Sequence, residues 1–181
     1  MDVVNPASIA AARDVVKRHT PALDLLINNA GVYSGAGGRK TQEMGDLTLE
    51  DGLVVFQTNS IGPILIAQHF LPLLLQGENP KLVSISSGYG SVSCNNGRFP
   101  YHYGASKAAL NHYMRSFAFD SQTKGMITVV LSPGWVRTNM GGPSAALTPE
   151  KSVDGMIRVI EQLRPKDNGC FFDYRGTLQS F

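Results

Sequence analysis

Cysteine is scarce: Cys94 and Cys170 are the only two in 181 residues. Two cysteines make neither a disulfide framework nor a zinc-ligand set, so free thiols in a reducing compartment are expected and no metal site is. Long apolar runs are also missing. The longest, residues 61–75, is broken by Gly62, Pro63, Gln68 and His69, short of the eighteen or so apolar residues of a membrane span. Neither sign of charge dominates, with 16 Lys and Arg against 14 Asp and Glu and a net charge of +2. The basic residues form no run and no patch interleaved with aromatics, so a nucleic-acid partner is not expected. Met1-Asp2-Val3-Val4-Asn5-Pro6 has no basic region followed by an apolar stretch, which leaves the cytoplasm as the default location. The length suits one domain, residues 1–181, with a substantial core.

What the chain does have is a chemical neighbourhood within residues 82–138. The apolar run Leu82-Val83-Ser84-Ile85-Ser86-Ser87 ends in Gly88-Tyr89-Gly90, the pattern of a buried strand that delivers hydroxyls at its carboxyl end. Tyr103 and Lys107 follow, four apart, so on a helix they share a face. A phenol must be shifted by about three units, or about 4 kcal/mol, to exchange protons near neutrality. One ammonium about 4 Å away supplies that much at an effective dielectric near 20. The spacing therefore predicts that Lys107 lowers the Tyr103 pKa.

In chain order, Asn5-Pro6 caps a helix whose apolar stripe is Ile9, Ala12, Val15 and Val16, and cations at Lys17-Arg18-His19 suit its end. Residues 23–27 read as a parallel strand covered on both faces. It leads into Asn28-Asn29-Ala30-Gly31, small and polar residues that let backbone approach a ligand at the sheet's carboxyl edge. Residues 34–41 end in Lys-Thr, but Arg39 stands where a phosphate loop needs glycine, so a flexible surface loop is expected. A long helix from about Thr48 through Asn59 to about Leu75 should bend at Pro63. A helix from about Ala105 to Thr123, a strand over 126–131, a glycine-rich lid at 139–147, a helix capped by Thr148 and a final strand over 169–174 complete the pattern. Gly104-Ala105-Ser106-Lys107-Ala108 resembles a nucleophile elbow, yet no strand precedes Ser106 and none of His19, His69, His102 or His112 has a base role. His102 is expected to be a substrate-loop or packing residue.

Asn28-Asn29-Ala30-Gly31 after a strand, Asn59 in a helix, Ser87 after the next strand, Tyr103-x-x-x-Lys107, and Pro133-Gly134 after another strand resemble the short-chain dehydrogenase/reductase family. Residues 133–142 are most similar to its C-factor-like carbonyl reductase branch. The family opens with a strand and a glycine-rich turn for the cofactor pyrophosphate, and the resemblance begins after that part. The resemblance implies a three-layer α/β fold with a doubly wound, Rossmann-like parallel sheet, N-terminally incomplete, which leaves the strand at 23–27 as a bare edge. On that basis the 181-residue chain is expected to be marginally stable alone and to bind cofactor weakly or not at all.

The resemblance further implies hydride transfer between the nicotinamide of NADP or NAD and a small carbonyl or alcohol. Tyr103 would exchange the proton, Ser87 would hydrogen-bond the substrate oxygen, Lys107 would hold the ribose, and Asn59 would maintain a water. Asn29, Ala30 and Gly31 would face the adenosine side; Pro133, Gly134 and Val136 the nicotinamide side; and Thr138 the pyrophosphate. Asp2 and Val3 are either an adenine contact or a helix-capping turn. A homo-oligomer is expected through the helices carrying Asn59 and Tyr103, because residues 65–75 look more apolar than one sheet face can cover. The alternative is a non-catalytic binding or regulatory protein.

Overall fold

The computed structural model describes residues 1–35, 42–97 and 99–181. Most of the loop at 34–41, together with Arg98, therefore lies outside the described residues. Four parallel strands stand side by side in sequence order: β1 (Leu25–Asn28), β2 (Lys81–Ile85), β3 (Ile127–Ser132) and β4 (Phe171–Asp173). Every crossover is helical, through α2 (Leu49–Phe56) and α3 (Gly62–Leu74), then α4 (Tyr101–Ala118), then α5 (Pro149–Gln162). An additional helix, α1 (Pro6–His19), precedes β1. The arrangement is the α/β layering expected of a doubly wound fold.

Strand alternation distributes the core between two helical layers. Leu82 and Val130 turn toward α3 and α4, where they meet Ala67, Leu74, Leu110 and Met114. Val83, Val129 and Leu131 turn the other way, against Ile160 and Leu163 at α5. β1 is half served by this scheme. Leu26 packs on the α3 side, while Leu25 and Ile27 are 40% and 44% exposed. The free edge expected for this strand is thus accompanied by one uncovered face.

Several boundaries move from the sequence reading for identifiable reasons. β1 begins at Leu25, because Leu23 N–H instead bonds Leu73 O at the end of α3. β2 stops at Ile85, where Ser86 still donates to Leu131 O but Ser87 turns into a short 3₁₀ segment (Gly88–Gly90). α4 starts at Tyr101, earlier than about Ala105, and ends at Ala118, with residues after it forming a separate turn (Ser121–Thr123). β4 is only Phe171–Asp173, since Gly169, at φ +76°, belongs to the preceding turn.

The apolar surplus on α3 has a partner within the chain. Ile9 of α1 packs with Ile66, Phe70 and Leu73 of α3, and Ala12 and Val16 flank the same cluster. Val15, read as part of that stripe, is exposed. The surplus at 65–75 is therefore no sign of a subunit contact. The caps behave as their residue types dictate: Asn5, Thr48 and Thr148 side chains accept from Ser8, Asp51 and Lys151 N–H, removing orphan donors at three helix starts.

The bend expected at Pro63 takes a specific form. Residues Gln57–Ile61 form one π-helical turn between α2 and α3, with Gly62 N–H bonding back to Gln57 O. Pro63 has no N–H to offer the carbonyl of Asn59, so the α-helical ladder is interrupted there. π-turns of this kind concentrate at functional sites.

Candidate functional site

All four strands are parallel, so the segments after β1, β2 and β3 leave from one edge of the sheet. Asn29-Ala30-Gly31, Ser86-Ser87 and Pro133-Gly134 are placed there by topology alone. The π-turn and the first turns of α4 complete the neighbourhood.

Asn59 is fully buried and its side chain is immobilised from three directions. Its Oδ1 accepts from Val32 N–H at 2.8 Å, and its Nδ2 donates to Val32 O at 2.8 Å and to Ser106 Oγ at 3.0 Å. Ser106 in turn donates to Tyr103 O at 2.8 Å. The serine that resembled a nucleophile is a buried link between the asparagine and the tyrosine helix, which ends the elbow reading.

The two serines after β2 have different fates. Ser86 is buried and donates to Asn111 Oδ1 at 2.6 Å, while Asn111 Nδ2 holds Gly90 O at 3.0 Å. Its hydroxyl is consumed in fixing the 3₁₀ segment to α4. Ser87 is half-buried, accepts from Tyr89 N–H at 3.2 Å and hydrogen-bonds the Tyr103 side chain. Of the pair, only Ser87 shares the tyrosine's surroundings.

Tyr103 is buried between Tyr33 and Tyr89, with ring centroids 5.2 and 6.4 Å away. Burial raises its pKa; the hydrogen bond from Ser87 opposes that, and the neighbouring tyrosines reinforce it. Lys107 is only 4% exposed, makes no ion pair among the described residues, and donates to Ile85 O at 2.8 Å. Burial lowers its pKa to about 8. The electrostatic expectation for this pair is thereby corrected. The ammonium sits 5.8 Å from the phenol ring centroid and leans toward the end of β2, so desolvation decides both pKa values.

Around this centre the remaining residues divide. A Cβ added to Gly31 would lie 3.4 Å from Asn59 Oδ1 and 3.5 Å from Lys107 Nζ, so the glycine leaves room directly over the ammonium. Asn29 and Ala30 are exposed and line, with Val3 and Met1, a cavity of about 170 Å3 beside β1. Asp2 is held in a local turn instead: its Oδ1 accepts from Val4 N–H at 3.0 Å and its N–H donates to Ser8 Oγ at 2.9 Å. Gly134 adopts φ +78° and faces Leu147 and Tyr174 so closely that a Cβ would overlap the first and press on the second. Val136 pairs with Leu147, and Thr138 Oγ1 accepts from Gly141 N–H at 3.1 Å. The glycine-rich stretch read as a lid is fastened back onto residues 135–138, with Trp135 Nε1 also donating to Gly141 O at 2.9 Å. His102 packs over Gly52, the packing role of the two expected.

Asn28 opens the motif read at the sheet's carboxyl edge and acts as a brace within it, whereas Gln42 escaped the sequence reading as a functional position. Asn28 is buried and its Nδ2 donates to Pro63 O and Ser84 Oγ, both at 3.2 Å, tying β1 to α3 and β2. Gln42 is buried and replaces the cap that Pro100 cannot give α4. Tyr101 N–H donates to Gln42 O at 3.3 Å, Tyr103 N–H donates to Gln42 Oε1 at 2.7 Å, and Gln42 Nε2 donates to Tyr33 O. No local signal marks it, because its partner lies 61 positions away. Gln42→Ala should lower the unfolding free energy by about 1 to 2 kcal/mol, the usual worth of a helix cap, as read by urea denaturation. An unchanged midpoint would show that water replaces the cap at no cost.

Among the described residues no helix is long and apolar enough to cross a membrane. The profile of the short-chain dehydrogenase family matches residues 1–147. The C-signal protein of Myxococcus xanthus is 44% identical over 158 residues, covering 87% of this chain and 92% of that protein. An uncharacterized oxidoreductase of Schizosaccharomyces pombe is 32% identical over 198 residues, covering all of this chain and 76% of that one. In structure, the NADPH-bound carbonyl reductase from chicken fatty liver superposes with a TM-score of 0.88 at 34% identity, over 100% of this chain and 75% of that one. The carbonyl reductase Sniffer of D. melanogaster gives 0.90 at 30% identity, over 100% and 76%. An oxidoreductase fold, a parallel sheet with Asn, Ser, Tyr and Lys at its carboxyl edge, and these likenesses converge: the chain belongs to the short-chain dehydrogenase family.

Proposed function

We infer that the protein is an NAD(P)-dependent oxidoreductase acting on a small carbonyl or alcohol substrate. The carrying observation is the buried Tyr103, hydrogen-bonded by Ser87 and one helical turn from a lysine that has no carboxylate partner among the described residues. A tyrosine whose pKa is raised starts protonated, which suits it to donate a proton to a developing alkoxide. Ser87, already hydrogen-bonded to the phenol, would hydrogen-bond the same oxygen.

The site's donors fit a nicotinamide cofactor. Lys107 spends one N–H on Ile85 O and has others for ribose hydroxyls, and the space left by Gly31 gives access to them. Asn29, Ala30, Gly31, Val3 and Asp2 would flank the adenosine side, and Pro133, Gly134, Val136 and Thr138 the nicotinamide and pyrophosphate. When bound, the cofactor supplies or accepts the hydride. Asn59, locked by Val32 and Ser106, would keep the turn that holds a relay water in place. NADPH is the cofactor named for the chicken carbonyl reductase and NADP for a Burkholderia multivorans relative of solved structure, which favours NADP over NAD here. The test is NADPH oxidation with a panel of aromatic and aliphatic carbonyls, followed at 340 nm. Turnover with at least one carbonyl is expected once NADPH is raised far enough to saturate a weakly bound cofactor.

A second reading, a non-catalytic binding or regulatory protein, has support in the name of the Myxococcus relative, C-signal. No NADPH oxidation across the panel, in a chain that unfolds cooperatively, would favour it. In either case the cytoplasm is the proposed compartment. We also propose a homodimer, now on different grounds from the α3 surplus. Leu49, Leu53 and Val54 of α2 and Ile61 of the π-turn are exposed apolar side chains on the helix path that carries Asn59, more than scattered surface residues need. Light scattering at micromolar concentration should give twice the chain mass, and Leu49→Lys with Leu53→Lys should halve it.

A further inference from the structure

None of the candidate site residues lines the groove between α5 and β4, and all the residues that do line it lie beyond the 1–147 covered by the family profile. Its volume, about 670 Å3, falls within the range of small-molecule pockets. Five cationic side chains border it, Lys151, Arg158, Arg164, Lys166 and Arg175, against the single carboxylate of Asp167. Arg175 is committed to Asp173 through contacts of 2.9 and 2.7 Å. The other four make no ion pair among the described residues.

Helix α5 sorts its charges to produce this surface. Lys151, Gly155, Arg158 and Gln162 follow the helical repeat on the groove side, whereas Glu150, Asp154 and Glu161 are not among the lining residues. The walls also include Val159, Leu163, Phe172 and Tyr174, and they are held rigidly. A Cβ at Gly155 would stand 2.4 Å from Tyr174 O, so only glycine permits so close a seating of helix on strand. A concave surface with uncompensated cations focuses positive potential. Guanidinium forks match phosphate oxygens in pairs.

We propose that this groove binds an organic phosphate, its phosphate held by Arg158 and Arg164 with Lys151 and Lys166 alongside, and its aromatic or aliphatic body against Phe172 and Tyr174. The site is separate from the Tyr103 centre and does not depend on oxidoreductase activity. Calorimetric titration of the full chain with 1-naphthyl phosphate, 1-naphthol and inorganic phosphate tests it. The phosphate ester should bind about tenfold or more tightly than either part, and raised salt should weaken it.

Arg158→Glu with Arg164→Glu should lower that affinity about thirtyfold or more, and Lys107→Ala, in the other site, should leave it unchanged. Lys151→Gln with Lys166→Gln, milder changes on the same rim, should lower it severalfold and serve if the first pair does not fold. Affinity that survives both rim pairs, or that disappears with Lys107→Ala, overturns the proposal. So does equal binding of inorganic phosphate and the ester, which would mean only a diffuse cationic surface.

Discussion

Replacing Tyr103 by phenylalanine is expected to reduce carbonyl turnover about a thousandfold while changing NADPH affinity less than about threefold. The ring stays, with its contacts to Tyr33 and Tyr89, and so does the Gln42 hydrogen bond, which uses the backbone of residue 103. Only the hydroxyl that meets Ser87 is removed. Burial keeps that hydroxyl protonated through the neutral range, so the wild-type reduction rate should not fall between pH 6 and about 8 through loss of the donor. Steady-state kinetics and a separate NADPH titration check both halves. Turnover within about tenfold of wild type would remove Tyr103 from proton transfer.

Lys107→Met should have the second largest effect, and it has a signature apart from activity. In the folded chain the ammonium titrates at about 8, against 10.5 for an ordinary lysine. Between those values the unfolded chain holds a proton that the folded chain has lost, so the wild-type unfolding free energy rises with pH, by up to about 1.4 kcal/mol per unit. Below pH 8 both states are charged and the burial cost persists. Tyr103 and Cys170, whose pKa values are raised, pull stability down at higher pH. The informative quantity is therefore the difference between wild type and variant, which should grow in the variant's disfavour from pH 8 to 10. Denaturant titrations at several pH values measure it; parallel curves would show that the amine does not titrate in this window. In the same variant NADPH affinity and turnover should each drop by about tenfold or more, because the ammonium proposed to hold the ribose is gone.

Much of this site could be read from the order of its residues, because topology, not detail, brings them together. Asn59, Ser87, Tyr103 and Lys107 follow strands and helices whose parallel order fixes which edge they share. What could not be read is where individual polar atoms find partners. Ser86 and Ser87 are identical in type and adjacent, yet one is absorbed by Asn111 and the other is left near the phenol. Gln42 sits in a stretch with no periodicity, and its role exists only because α4 begins at a proline-preceded turn without a side-chain cap. The Tyr103–Lys107 spacing correctly gave one helix face, but direction along that face was decided by the carbonyl of Ile85. Apolar surplus on α3 was legible as well, while its partner, α1, was a matter of three-dimensional packing.

The π-turn at Gln57–Ile61 also acts as a one-residue insertion in the helix path. A single extra residue turns everything beyond it by about 100°. The exposed apolar side chains of α2 and the buried ones of α3 therefore belong to stripes that are out of phase, and no single helical wheel describes residues 49–74. Deleting one residue here would bring the two helices back into α-helical phase, with Pro63 still leaving one carbonyl of the ladder without its N–H. It would also swing the Asn59 side chain away from Val32 and Ser106, so in this segment the most regular helix and the assembled site are mutually exclusive.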